Sequence, residues 1–176
     1  MRSNSIKPMI KTNDSDTVPK NLELVYSGKD YFARLEAIIR DAQFEIHLQI
    51  YLFENDATGK RIVAALKEAA LRKVEIYVLL DGLGSLSFPD ELLKDLKFSG
   101  INIRFFAPLF STYTFYLGRR LHRKVVVADA KVTLVGGINI ADKYHGSTTE
   151  KPWLDYAVQL NGEIAKPLQQ LCRDKY

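Results

Sequence analysis

From Leu22 onward, the sequence alternates between segments with strand periodicity and segments with helix periodicity. Short segments rich in β-branched and aromatic residues are followed by apolar stripes at helical spacing, and the order then repeats. The first stripe consists of Phe32, Leu35, Ile38, Ile39 and Ala42. This alternation favours a layered α/β fold over a helical bundle or a β-sandwich.

The predicted elements follow directly from these periods. Strands are predicted at 22–26, 44–53, 74–81, 101–106, 121–129, 131–137 and 154–160. Helices are predicted at 28–42 and 58–73, between Pro89 and Gly100, and from Glu163 to the end. The segment 107–120 has no clear period and is predicted to be a long functional loop.

The two ends of the chain bound the domain. Residues 1–20 are polar, include Pro8 and Pro19, and are predicted to be a flexible segment. We therefore expect a single domain over 21–176. No residue typical of a helix end follows Cys172, so we expect the natural protein to continue beyond Tyr176.

Composition excludes several classes of protein. No apolar run reaches the roughly 18 residues that a membrane span needs, and a single cysteine rules out an intrachain disulfide framework. The scattered histidines have no metal-ligand spacing, so we predict neither a metal site nor a cofactor. The net charge of +4 is compatible with an anionic partner, either phospholipid or nucleic acid.

The residues that point to chemistry begin at His122. On a strand, His122 and Lys124 project from the same face and Arg123 is turned away. Imidazole is both a nucleophile and a proton carrier near neutral pH, while an ammonium group stabilises charge on phosphoryl oxygens. This pairing predicts chemistry on phosphate esters.

A glycine pair and an asparagine follow the next predicted strand. Gly136 and Gly137 permit close approach of the backbone to an anion, and the amide of Asn139 can donate a hydrogen bond to a phosphate oxygen. Each feature alone is ordinary turn material. Together with His122 and Lys124 they predict a phosphate pocket.

These residues resemble the signature of the phospholipase D superfamily: His, any residue, Lys, four residues, Asp, then a glycine-rich segment with Asn. Here the signature is His122, Lys124, Asp129, Gly136, Gly137 and Asn139. From about Leu22 to its end, the chain is similar to the amino-terminal half of bacterial cardiolipin synthases. The resemblance implies a layered α-β-α sandwich with a mixed central sheet, forming one lobe of a two-lobed or dimeric enzyme.

The resemblance also implies a metal-free, two-step exchange of a phosphodiester through a phosphohistidine. His122 would be the nucleophile or the general acid, and Lys124 would hold phosphoryl oxygens together with Asn139 and Gly137. A second motif, from another lobe of the same chain or from a homodimer partner, would supply the second histidine. Without it the isolated chain would lack half of the catalytic set.

Two carboxylates receive different roles. Asp129 completes the catalytic signature, but it lies an odd number of residues from His122, so we assign it a structural role. Asp155 resembles the acid with which the family orients the imidazole. The alternative interpretation is that Asp155 is a solvent-facing strand residue.

The aromatic loop before the motif has two interpretations. Its aromatic side chains, including Phe115 and Tyr116, could insert at a bilayer surface while Arg119 and Arg120 meet anionic headgroups. They could instead cover the partner lobe. The membrane interpretation predicts a peripheral protein at the cytoplasmic face of a bacterial membrane.

Two functional classes follow. The first is a phosphatidyltransferase that moves a phosphatidyl group between phosphatidylglycerol molecules. The second is a homodimeric phosphodiesterase that hydrolyses nucleic acid, which would need a basic, aromatic-lined groove. We favour the phosphatidyltransferase, which acts on lipid, because the aromatic residues cluster before the motif. A third alternative is a truncated, inactive lobe.

Overall fold

A computed structural model describes residues 21–108 and 118–176, together with the backbone of 110–111 and 114–115. The predicted flexible segment 1–20 and Tyr116 lie outside the described residues.

The described residues form one seven-stranded sheet and one short hairpin. The sheet strands are β1 (Leu22–Tyr26), β2 (Glu45–Ile50), β3 (Glu75–Asp81), β4 (Asn102–Phe106), β7 (Lys124–Ala128), β8 (Val132–Gly136) and β9 (Tyr156–Asn161). Their order in the sheet is β1-β9-β8-β7-β2-β3-β4, in which β2, β3 and β4 run parallel and all other neighbours are antiparallel. The prediction of a mixed central sheet is confirmed.

Helices cover the two faces of this sheet unequally. The helices of the described chain are α1 (Lys29–Asp41), α2 (Ala57–Leu71), α3 (Asp90–Phe98), α4 (Asp142–His145) and α5 (Ala165–Arg173). Apolar residues of α1, α2 and α3 share one large core with the sheet, whereas α5 packs with a small cluster on the opposite face. The layered α-β-α architecture is therefore confirmed.

The apolar stripes predicted from sequence are the ones that the fold buries. All five residues of the first stripe lie in the core, and Phe32, Leu35 and Ile39 are completely buried. On the opposite face, Val125 and Val127 of β7 pack against Ala165 and Cys172 of α5. Alternation along β7 thus divides its side chains between the two faces of the sheet.

Several details differ from the predicted elements. The loop 107–120 contains a hairpin, in which β5 (Phe110–Ser111) pairs antiparallel with β6 (Thr114–Phe115). The predicted strand 121–129 begins only at Lys124, and the short helix α4 was not predicted. Within the described part of the chain, no helix combines the length and apolar character needed to cross a bilayer.

Candidate active site

His122 and Lys124 meet at the amino-terminal end of β7. His122 is exposed and lies just before the strand, so its placement within a strand was wrong. Lys124 is the first residue of β7, and its Nζ donates a hydrogen bond of 2.9 Å to the His122 carbonyl. The ring of Tyr51 lies 5.2 Å from the imidazole and 5.3 Å from Nζ, which places both functional groups around one aromatic side chain.

Arg123 lies on the other side of this segment, as alternation predicts. Burial raises the pKa of the Cys172 thiol in α5 to about 11, and the nearby charge of Arg123 offsets part of that rise. Because α5 covers the face opposite the main core, this interaction places Arg123 on the α5 side. Lys124 and Arg123, although adjacent in sequence, therefore lie on opposite sides of this segment.

Asn139 is held between two elements at the same edge of the sheet. Its Oδ1 accepts a hydrogen bond of 3.0 Å from the Leu52 amide, and its Nδ2 donates one of 2.9 Å to the Tyr144 hydroxyl. The side chain is only 5% exposed. An amide nitrogen carries two hydrogens, so the second N–H of Nδ2 can serve a substrate oxygen.

A reciprocal cap fixes the segment that carries Asn139. Asp56, the N-cap of α2, accepts a hydrogen bond of 2.9 Å from the Gly59 amide and one of 2.6 Å from the Asp142 amide. In return, Asp142 accepts one of 2.8 Å from the Thr58 amide. Each carboxylate thereby satisfies amide groups that a helix start leaves unpaired.

Gly137 packs directly against the carboxylate of Asp155. A Cβ on Gly137 would lie 2.1 Å from Oδ1 of Asp155, so the missing side chain makes room for that carboxylate. Its N–H donates to the Tyr156 carbonyl at 2.9 Å and is not available to a phosphate. The anion that this glycine approaches in the structure is Asp155, and binding of a substrate phosphate at Gly137 stays a prediction.

Asp155 acts electrostatically on Lys124. Burial lowers the pKa of the Lys124 ammonium, because a charged group loses its hydration, and the negative charge of Asp155 partly restores it. Burial, together with the same charge, raises the pKa of the Tyr31 hydroxyl. Asp155 therefore helps to keep the lysine protonated, while the predicted orientation of His122 by Asp155 stays a prediction.

The structure does not bring Asp129 to this site. Asp129 follows the far end of β7, roughly 16 Å along the strand from Lys124 at about 3.3 Å per residue. Its carboxylate accepts backbone hydrogen bonds of 2.8 to 2.9 Å from Gln43, Phe44 and Glu45. This arrangement fits the structural role that we assigned to Asp129 and places its carboxylate away from the reacting groups.

Two residues at the site were missed by the sequence reasoning. Tyr51 was treated as an ordinary strand residue, although its ring faces both His122 and Lys124. Asp81 is completely buried at the end of β3, and its Oδ2 accepts a hydrogen bond of 2.7 Å from the Leu121 amide. A carboxylate between a buried strand and a glycine-rich loop is a signal that could have revealed Asp81.

Asp81 also shapes the wall behind Tyr51. Its Oδ1 accepts hydrogen bonds of 2.9 Å from Leu83 and 3.0 Å from Gly84, which fixes the loop after β3. A Cβ on Gly84 would lie 2.3 Å from the Tyr51 carbonyl oxygen, so the loop packs directly on Tyr51. Asp81 thus connects the backbone before His122 with the backbone that supports Tyr51.

The residues predicted to contact a membrane are only partly described. Nothing is described for Tyr116 or for the side chain of Phe115. Arg119 is exposed. Arg120 is half-buried, donates a hydrogen bond of 2.7 Å to the Ala107 carbonyl and lies 4.0 Å from Asp81, so it is bound to the protein.

We expect Asp155→Asn to lower kcat by about a hundredfold or more. The Tyr156 amide donates a hydrogen bond of 2.7 Å to Oδ1 of Asp155, and asparagine keeps an oxygen that can accept it. The substitution removes the negative charge that supports the Lys124 ammonium. Steady-state kinetics of the full-length protein would measure the effect. Asp41→Asn, at the exposed end of α1, is the matched control. An unchanged rate in Asp155→Asn would remove Asp155 from the site.

Comparison with known proteins assigns the chain to a family. Residues 35–172 match the family model described as "Cardiolipin synthase, PLD-like domain". The chain belongs to this family. It is 36% identical over 152 residues to cardiolipin synthase B of Escherichia coli (strain K12), covering 85% of this chain and 37% of that protein. It is 30% identical over 172 residues to minor cardiolipin synthase ClsB of Bacillus subtilis (strain 168), covering 97% of this chain and 42% of that protein.

The family resemblance inferred from sequence is thus confirmed. The chain spans only about two fifths of the length of these two relatives, at 37% and 42%.

Solved structures show the same fold. Nuc, a phospholipase D family member from Salmonella typhimurium, superposes with a TM-score of 0.65 at 21% identity, covering 88% of this chain and 92% of that chain. Phosphatidylserine synthase of Haemophilus influenzae Rd KW20 superposes with a TM-score of 0.70 at 19% identity, covering 88% of this chain and 36% of that chain. At these identities the comparison supports the phospholipase D-like fold alone.

Proposed function

We propose that this chain supplies one half of the active site of a phosphatidyltransferase of the cardiolipin synthase type. The observation that carries the proposal is the grouping of His122, the buried Lys124 and the fixed amide of Asn139 at one edge of the sheet, in a chain that belongs to this family. The grouping offers a nucleophile, a cation and a hydrogen-bond donor. These are the groups that transfer of a phosphoryl centre requires.

In the proposed first step, Nε2 or Nδ1 of His122 attacks the phosphorus of phosphatidylglycerol. A P–N bond forms, the P–O bond to the glycerol headgroup breaks, and the departing glycerol takes a proton from the histidine of a second motif. Lys124 and Asn139 hold the non-bridging oxygens, whose negative charge grows as the nucleophile approaches. No metal ion or cofactor takes part in the proposal.

In the proposed second step, the terminal hydroxyl of another phosphatidylglycerol attacks the same phosphorus. The histidine of the second motif accepts the proton of that hydroxyl, the P–N bond breaks, and cardiolipin forms with His122 regenerated. The second motif belongs to another lobe of the same chain or to a homodimer partner. Since this sequence contains one His-x-Lys pair, the second copy is part of the proposal.

We also propose that the protein works as a peripheral protein at a membrane surface that contains anionic phospholipid. The exposed Arg119, beside the motif, supports this placement because a surface arginine is attracted to anionic headgroups. Phosphatidylglycerol is therefore both the proposed substrate and a component of the proposed binding surface.

The full-length protein should convert phosphatidylglycerol in vesicles into cardiolipin and glycerol, and it should leave single-stranded DNA intact. Mass spectrometry of the lipid extract and gel analysis of the DNA would measure the two reactions side by side. The His122→Asn protein serves as the background control for both. Hydrolysis of DNA without formation of cardiolipin would contradict the proposal and favour the nuclease alternative.

A further inference from the structure

A second pocket borders the motif on the α5 side of the sheet. Its volume is about 310 Å³, and His122 forms part of its wall. The cationic residues that line it are Arg119, Arg120, Arg123 and Lys175. Among the described residues that line the pocket, none has a carboxylate side chain. A concave site of one charge raises the local concentration of the opposite charge, so this pocket attracts anions.

One of these cations has an unused donor. The Nη1 of Arg123 is buried and has no hydrogen-bond partner among the described residues. Leaving a buried charged donor unpaired is costly, so a native site that keeps one is expected to receive an acceptor from elsewhere. Burial raises the pKa of the nearby Cys172 thiol to about 11, so Cys172 offers no negative charge to this guanidinium.

Arg120 differs from the other cations of the pocket. Its Nη1 already donates to the Ala107 carbonyl at 2.7 Å and lies 4.0 Å from the buried Asp81. Arg120 therefore forms part of the rigid wall. The remaining positive charge of the lining comes from the half-buried Arg123 and from the exposed Arg119 and Lys175.

We propose that this pocket binds the phosphodiester of the acceptor phosphatidylglycerol, an inference that rests on the proposed function. Cardiolipin contains two phosphodiesters joined by a single glycerol. When one phosphoryl group is bonded to His122, the phosphate of the attacking lipid must therefore lie one glycerol away. A cationic pocket that shares His122 with the motif lies in the right place to hold it.

This assignment makes Arg123 and Arg119 specificity-determining residues for the acceptor. An anionic acceptor gains charge-assisted hydrogen bonds in the pocket, whereas an uncharged alcohol gains none. The protein should therefore prefer phosphatidylglycerol over simple alcohols as acceptor, through interactions that the donor phosphate does not use. Arginine suits this task, because its planar group presents paired N–H donors to phosphate oxygens.

The test measures how the full-length protein divides a labelled phosphatidyl donor between two acceptors, phosphatidylglycerol and ethanol, in neutral detergent micelles. In Arg123→Gln and in the double variant Arg119→Gln with Arg123→Gln, we expect the ratio of cardiolipin to phosphatidylethanol to fall about tenfold or more.

Glycerophosphoglycerol, which carries the headgroup without acyl chains, is the third acceptor. An equal loss with it would show that the pocket recognises the phosphodiester, whereas a loss confined to the lipid would overturn that assignment. Arg40→Gln, on the exposed surface of α1, is the charge-matched control.

Other outcomes would overturn the inference, and each can be told apart from the others. An unchanged product ratio in the double variant would overturn the inference while leaving the proposed function intact. The single Arg119→Gln variant guards against a folding defect in Arg123→Gln, because Arg119 is exposed. Weaker binding of single-stranded DNA with an unchanged product ratio would assign the pocket to a nucleic-acid backbone instead. If the wild-type protein makes no cardiolipin, the proposed function fails and this inference fails with it.

Discussion

Replacement of His122 by asparagine should lower kcat for cardiolipin formation by at least about 10⁴-fold. The amide of asparagine can neither form the covalent bond to phosphorus nor carry a proton, while Lys124 and Asn139 still bind the substrate. The KM for phosphatidylglycerol should therefore change much less than kcat. Steady-state assays on vesicles of fixed composition would separate the two parameters.

The fold should tolerate this replacement. His122 is exposed and lies outside β7, so we expect the free energy of unfolding to change by no more than about 0.5 kcal/mol. His145→Asn is the matched control, since His145 lies in α4 and its ring pairs with Arg61 and the Gly146 carbonyl. Activity in His122→Asn comparable to that of the control would contradict a covalent role for His122.

Replacement of Lys124 by methionine should abolish most activity and stabilise the protein at the same time. Lys124 is only 4% exposed, and burial lowers its pKa, so the fold is stabilised when this charge is removed. Methionine fills similar space beside Tyr51 without a charge. We expect kcat to fall by about 10² to 10³-fold, because a preorganised cation no longer meets the phosphoryl oxygens. We expect the free energy of unfolding to rise, because the lowered pKa of Lys124 means that the fold disfavours its charged form.

The pH dependence of this stabilisation has a definite sign. The pKa of Lys124 is lower in the folded chain than in the unfolded chain, so below the folded pKa the wild-type protein bears the full cost of the buried charge. That cost disappears as the pH rises from the folded to the unfolded pKa. The advantage of Lys124→Met should therefore be largest near neutral pH and shrink in alkaline solution.

Urea denaturation at several pH values would measure this trend, with Lys60→Met on the exposed surface of α2 as the control. A variant that is both less stable and inactive would show that the hydrogen bond from Nζ to the His122 carbonyl outweighs the cost of burial. The prediction that Lys124→Met gains stability while it loses activity would then be wrong.

Sequence reasoning succeeded where local periodicity decides the structure. The stripe of α1 is buried as predicted, because side chains three and four residues apart share one face of any helix. Alternation also separated Arg123 from Lys124 correctly, even though the strand begins two residues after His122. Pattern arguments of this kind depend only on neighbours along the chain.

The missed features depend on contacts between distant parts of the chain. Gly137 looked like a place for a phosphate, but only the fold shows that Asp155 of the following segment occupies the space above it. Likewise, the ring of Tyr51 reaches His122 because β2 and β7 are neighbours in the sheet. Strand pairing between segments so far apart is not encoded in any short pattern, and this is why the wall of the site could not be predicted.

The proposed reaction requires that His122 becomes covalently bonded to a phosphatidyl group during turnover. Rapid mixing of the full-length protein with phosphatidylglycerol, alkaline quenching to preserve the acid-labile P–N bond, and peptide mass spectrometry would test it most directly. We expect a phosphatidyl adduct on the peptide that contains His122, present in wild type and absent from His122→Asn. Turnover with an adduct on a different histidine, or with none on His122 at any time point, would contradict it.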